Sequence, residues 1–151
     1  MKTNRIVVGL LVAVVLTLSV VVLAQVNRPY RNGTVWDISY IRMKPGMETA
    51  YLNYLATDWK KLREEQKKAG QILSYKVLTT EGHSPTDFNT ILMVEYKDMA
   101  TMEANKDKSD ALAQKVIGDD QKQMQGYRER SEIRENIGGR LAREIVLESK
   151  R

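Results

Sequence analysis

The chain has 151 residues, with 24 Lys and Arg against 19 Asp and Glu, a single His and no Cys. Without cysteine there is no disulfide, no thiol chemistry and no lipid-attachment thiol, and one histidine without thiols argues against a transition-metal site. Two of the 24 basic residues, Lys2 and Arg5, stand at the very start, which leaves 22 against 19 and a net charge of +3 for the remainder. Those charges alternate with acids along Lys60–Lys68 and Arg128–Arg143, read as solvated helix faces, and give no nucleic-acid footprint.

From Ile6 to Ala24 the sequence is apolar apart from Gly9, Thr17 and Ser19. A basic head followed by such a run is the order of a secretory signal. Val22 and Ala24 permit cleavage before Gln25, so residues 1–24 are expected to be a signal peptide and the protein to be exported, periplasmic or extracellular. The run also has the length, roughly 20 residues, that crosses a bilayer. Left uncleaved, residues 6–24 would anchor the protein in the inner membrane, and this is the one circumstance in which a membrane contact is expected.

Residues 25–33 mix Asn27, Arg28, Pro29, Asn32 and Gly33 and read as a linker. Asn32-Gly33-Thr34 matches a glycosylation acceptor pattern but reads more simply as a turn. One folded domain is expected over 34–151, large enough for a core of its own yet small enough to gain from pairing with a second copy.

Trp36, Ile38 and Tyr40 alternate with Asp37 and Ser39, which predicts a strand over Val35–Met43 ended by Lys44-Pro45-Gly46. Met47, Tyr51, Tyr54, Leu55, Trp59 and Leu62 then recur at helical spacing, with Gly70 placed to stop a helix over about Met47–Ala69. Strands are expected at Ile72–Thr79 and Phe88–Tyr96. Met99 to Ile117 returns to helical spacing around a polar middle, Asn105–Asp110, part of which is expected to be loop. A short surface helix is predicted over Asp119–Asn136, broken by Gly138-Gly139, and a last strand over Leu141–Glu148.

This order predicts an α+β fold, a ferredoxin-like βαββαβ chain. It has a four-stranded antiparallel sheet, helices on one face and an extra helix before the last strand. Every strand carries apolar residues on both faces, so the face without helices calls for a cover, most simply a second copy packed sheet to sheet.

The turn Met43-Lys44-Pro45-Gly46-Met47 and the stretch Val94-Glu95-Tyr96 before a helix at Met99 resemble the dimeric α/β-barrel superfamily, over Trp36 to Glu148. The chain as a whole is similar to uncharacterised exported bacterial proteins of this type. The resemblance implies a homodimer around a central cavity, in a superfamily that spans cofactor-free monooxygenases, haem-using enzymes and structural members. Fold alone does not choose among these. The haem-binding relatives carry their ligand His on a helix, whereas His83 lies in Glu81-Gly82-His83-Ser84-Pro85 between strands, so no haem or other cofactor is expected.

Trp36, Tyr40, Tyr75 and Tyr96 could line an aromatic pocket for a small hydrophobic or aromatic ligand, with Arg42 holding an anionic group. Packing at a sheet interface would use the same residues. His83 and Asn89, near Asp87 at one rim, are the candidates for proton transfer, although a loop with Asx caps accounts for them as well. No nucleophile elbow, phosphate-binding loop, dinucleotide fingerprint or zinc-protease motif occurs. The expectation is therefore a ligand-binding or accessory module. The alternatives are a cofactor-independent monooxygenase-like enzyme acting on a small aromatic substrate, and a membrane-tethered structural protein.

Overall fold

The computed structural model describes residues 28–148. The signal or anchor expected over Ile6–Ala24 lies outside the described residues. The chain divides into two compact units, Asn32–Val146 and the two ends, Met1–Arg31 with Leu147–Arg151. Of the second unit Arg28–Arg31 and Leu147–Glu148 are described. There the Glu148 amide donates to the Pro29 carbonyl at 2.9 Å, and Arg31 Nε lies 3.4 Å from Glu148 Oε1.

Strand β1 is Tyr30–Met43. A continuous helix follows, made of α1 (Glu48–Tyr54), a π segment (Leu55–Trp59) and α2 (Lys60–Lys68). The sequence then gives β2 (Ser74–Thr79), β3 (Thr90–Tyr96), α3 (Met99–Ala104), α4 (Lys106–Val116), α5 (Asp120–Ile133) and β4 (Arg134–Leu147). The long helix ends at the Lys67 and Lys68 turn, and Gly70 at φ +67° takes the left-handed position that only glycine occupies without strain.

The four strands form one sheet in the order β2-β3-β1-β4. β1 and β2 both run antiparallel to β3, with Ile38 opposite Met93 and Val77 opposite Leu92. β4 lies along the other side of β1, where the Lys44 amide donates to the Ile133 carbonyl at 3.0 Å. This is the ferredoxin-like topology that the element order predicts.

The core sits between the sheet and the long helix: Ile41, Met43, Leu92 and Val94 of the sheet meet Tyr51, Leu55 and Trp59, with Ile72 at the entry to β2. Each such burial contributes about 1.5–3 kcal/mol. On β1 the inward positions are therefore Val35, Asp37, Ser39, Ile41 and Met43. Trp36, Ile38, Tyr40 and Arg42 occupy the face without helices, half-buried. That face also presents Leu78, Ile137, Leu141 and Ile145, each 43–56% exposed.

Three boundaries differ from the sequence reading. Asn32-Gly33-Thr34 is strand, not a turn in a linker, because β1 starts at Tyr30 and Gly33 makes room for the Glu144 side chain across from it. The polar stretch Asn105–Asp110 is helical except for a break at Asn105, since Ser109 ties α4 to the buried Gln71 by a 2.9 Å hydrogen bond. Finally, Gly138-Gly139 does not separate a helix from a strand; β4 begins at Arg134, and both glycines lie inside it. Gly139 passes so close to β1 that a Cβ there would meet the Ile38 carbonyl oxygen at 2.9 Å, so its role is close backbone approach rather than chain reversal.

Candidate functional site

The residues singled out from sequence do not assemble into one pocket. Trp36, Tyr40 and Arg42 share the helix-free face of β1, but Tyr75 points the other way, because β2 pairs it with the inward Val94. Its ring meets Trp59 edge-on at 5.2 Å, and its hydroxyl donates to Glu64 Oε1. That hydrogen bond, more than burial, pushes the Tyr75 phenol up to about 12.

On the helix-free face each remaining candidate already has a partner. Lys76 Nζ sits 5.0 Å from the Trp36 ring centre, and Tyr40 packs on Phe88 at 4.8 Å. Arg42 pairs with Glu135 and donates to the Pro85 carbonyl at 3.1 Å. Arg42 thus pins the 80–89 connection to the start of β4.

Asn89 is likewise occupied. Its Oδ1 accepts from the Met43 amide at 2.8 Å and its Nδ2 donates to the Met43 carbonyl at 3.4 Å, so the side chain imitates a strand neighbour where β3 begins. His83 is exposed, and its backbone amide donates to Asp87 Oδ2 at 3.3 Å. These are turn roles. Among the described residues no cluster of three His, Cys, Asp or Glu side chains could hold a metal ion.

A different constellation lies on the helix side. The long helix and α5 enclose a groove of about 700 Å³, lined among others by Tyr54, Trp59, Arg63, Met124, Tyr127 and Arg130. The π segment helps to shape this wall. The Lys60 amide reaches back to the Leu55 carbonyl, five residues earlier, and the wider turn keeps both Leu55 and Trp59 buried while leaving Asp58 exposed. A π-bulge of this kind is common at functional sites.

Three guanidinium groups lie over three aromatic rings here. Arg63 stands 5.4 Å from the Trp59 ring centre, Arg130 4.8 Å from Tyr54 and Arg134 5.8 Å from Tyr127. At these distances the contact is a cation–π attraction, which uses none of the N–H donors in a hydrogen bond to an acceptor. Arg63 Nη1 donates to Gln66 Oε1 at 2.5 Å, but the Nε atoms of Arg63 and Arg134 are buried without a hydrogen-bond partner. Among the described residues neither Arg63 nor Arg130 forms an ion pair.

Burial lowers the Arg63 pKa, against the opposing pull of Tyr96, Tyr54 and Asp37. Asp37 keeps much of its surface exposed. Partial burial still raises its carboxyl above the ordinary value, and Arg63 offsets only part of that rise. Tyr51, 1% exposed in the core, is pushed up to about 12, first by burial, with Arg134 pulling the other way.

The sequence reading assigned Lys60–Lys68 and Arg128–Arg143 to solvated faces. The structure corrects this for Arg63, Arg130 and Arg134, which are half-buried. The signal available was spacing: Trp59 and Arg63, and likewise Tyr127 and Arg130, stand four and three residues apart, so each pair shares a helix face. What spacing lacks is the docking of α5 against the long helix.

No protein-family model and no curated protein matches this sequence. Solved structures with a similar chain path include HapK from Hahella chejuensis, at 10% identity and TM-score 0.47, covering 72% of this chain and 90% of that one. A dimeric ferredoxin-like protein from an uncultured marine organism has 13% identity and TM-score 0.48, over 80% of this chain and 100% of that one. A NIPSNAP family protein of unknown function from Agrobacterium tumefaciens has 13% identity and TM-score 0.48, over 78% of this chain and 92% of that one. The fold assignment rests on strand order and pairing, and these likenesses lend it no activity.

Proposed function

We propose that this protein is an exported, homodimeric α/β-barrel module that binds a small aromatic molecule in the groove between the long helix and α5. The observation that carries the reading is the groove itself. Its volume of about 700 Å³ suits a small organic ligand, and Tyr54, Trp59 and Tyr127 supply aromatic surface. The homodimer is supported by the exposed Leu78, Ile137, Leu141 and Ile145 on the helix-free face, which a second copy would cover. Export is supported by the order of charge and hydrophobicity over residues 1–24. If residues 6–24 stay in place, the same module is held at the inner membrane.

The oxidative alternative loses one of its two candidate assistants, since the Asn89 amide is committed to the Met43 backbone. The two tryptophans make the binding reading testable, because Trp36 lies on the helix-free face and Trp59 in the groove wall. In a Trp36→Phe variant the single remaining indole reports groove occupancy. Small aromatic compounds should shift its indole N–H resonance and raise the melting temperature with ligand concentration. A panel of such compounds that moves neither observable would refute the groove as a binding site. N-terminal sequencing that starts at Gln25 would establish release from the membrane, and light scattering would give the copy number.

A further inference from the structure

Resting on the groove as a binding site, we infer that its ligand is an aromatic carboxylate, with the carboxylate held by Arg63 and Arg130 and the ring system against Trp59 and Tyr127. Two guanidinium groups line one groove, and each lies over a ring of the long helix, Arg63 over Trp59 and Arg130 over Tyr54. The rings hold both groups within cation–π distance, and a planar fork of N–H donors is the geometry that recognises a carboxylate.

The donors are also in need of an acceptor. Arg63 Nε is buried with no partner, and neither arginine has a carboxylate at ion-pair distance among the described residues. An anion in the groove would supply an acceptor to the guanidinium groups that line it. The two acids of the groove do not fill this role. Asp58 and Asp120 are exposed, whereas both arginines are half-buried, and Asp120 already accepts from Gln114 Nε2 at 3.1 Å. Asp120 also sits in the first turn of α5, where the helix dipole favours a negative charge. Within the groove the positive charge of Arg63 and Arg130 is therefore the more buried, and the two acids lie at the surface.

The test uses protein expressed from the full chain, carrying Trp36→Phe, and two probes of nearly equal shape, 2-naphthoate and its neutral amide. Charge-assisted hydrogen bonds predict that naphthoate binds at least ~10-fold more tightly than the amide. Arg130→Gln should erase most of that difference in affinity between the two probes, and circular dichroism checks that the variant is folded. Equal affinity for the two probes would overturn the carboxylate assignment and leave aromatic binding standing. A naphthoate preference that persists undiminished in folded Arg130→Gln would overturn the role of that residue. Failure of both probes to move the Trp59 indole resonance would overturn the carboxylate assignment together with the binding reading beneath it.

Discussion

Replacing Asn89 with Ala separates a structural from a chemical role for that residue. Three hydrogen bonds end on its side chain: from the Met43 amide at 2.8 Å, to the Met43 carbonyl at 3.4 Å and from Thr90 Oγ1 at 3.4 Å. The two long contacts contribute little. The short one is worth about 1 kcal/mol, and removing its acceptor leaves the Met43 amide unpaired beside a core residue, at a further cost of about 1 kcal/mol. The expected loss is therefore about 2 kcal/mol, which for a protein of this size moves a urea midpoint by roughly 1 M at unchanged m-value. Unfolding is to be followed at fixed protein concentration, because association couples to stability. A loss below about 0.5 kcal/mol would mean that water replaces the clip, and the argument that Asn89 pins β1 to β3 would fail.

Gly139→Ala places a Cβ 2.9 Å from the Ile38 carbonyl oxygen. It should destabilise the domain by about 1–3 kcal/mol in denaturant titration, and a neutral result would show that β4 can slide away from β1. Leu141→Glu puts a charge on the helix-free face, where Leu141 is 52% exposed. Light scattering should then find one copy where the parent protein shows two, and an unchanged dimer would place the interface elsewhere. Asp37 has its pKa raised by burial, with Arg63 opposing, so the folded state favours its protonated form. Its destabilising effect is absent below the unfolded value near 3.8 and complete once pH exceeds the folded value. Asp37→Asn should thus stabilise the protein at neutral pH, and the gain should vanish as pH falls below 3.8. A gain that persists in acid would trace to packing, not charge.

What the sequence determined by itself was the local architecture. The spacing of Tyr51, Leu55, Trp59 and Leu62, the stop at Gly70 and the period-two runs around Ile38, Val77 and Leu92 reflect backbone periodicity, and the structure contains these elements in the expected order. Short-range chemistry does not say which face of a strand turns inward. The more apolar-looking face of β1, with Trp36, Ile38 and Tyr40, is the one without helices, and the inward face carries Asp37 and Ser39 between Val35 and Ile41. Only the docking of the long helix decided this, because Tyr51, Leu55 and Trp59 bury Ile41 and Met43 and not their neighbours. The same docking sends Tyr75 to the opposite side from Tyr40. It also brings Arg63 of α2 and Arg130 of α5 to one groove across 67 residues of chain, a distance over which periodicity carries no information. Their charges looked like solvated faces because each helix alone presents them that way; desolvation arises only when two helices close on the same space.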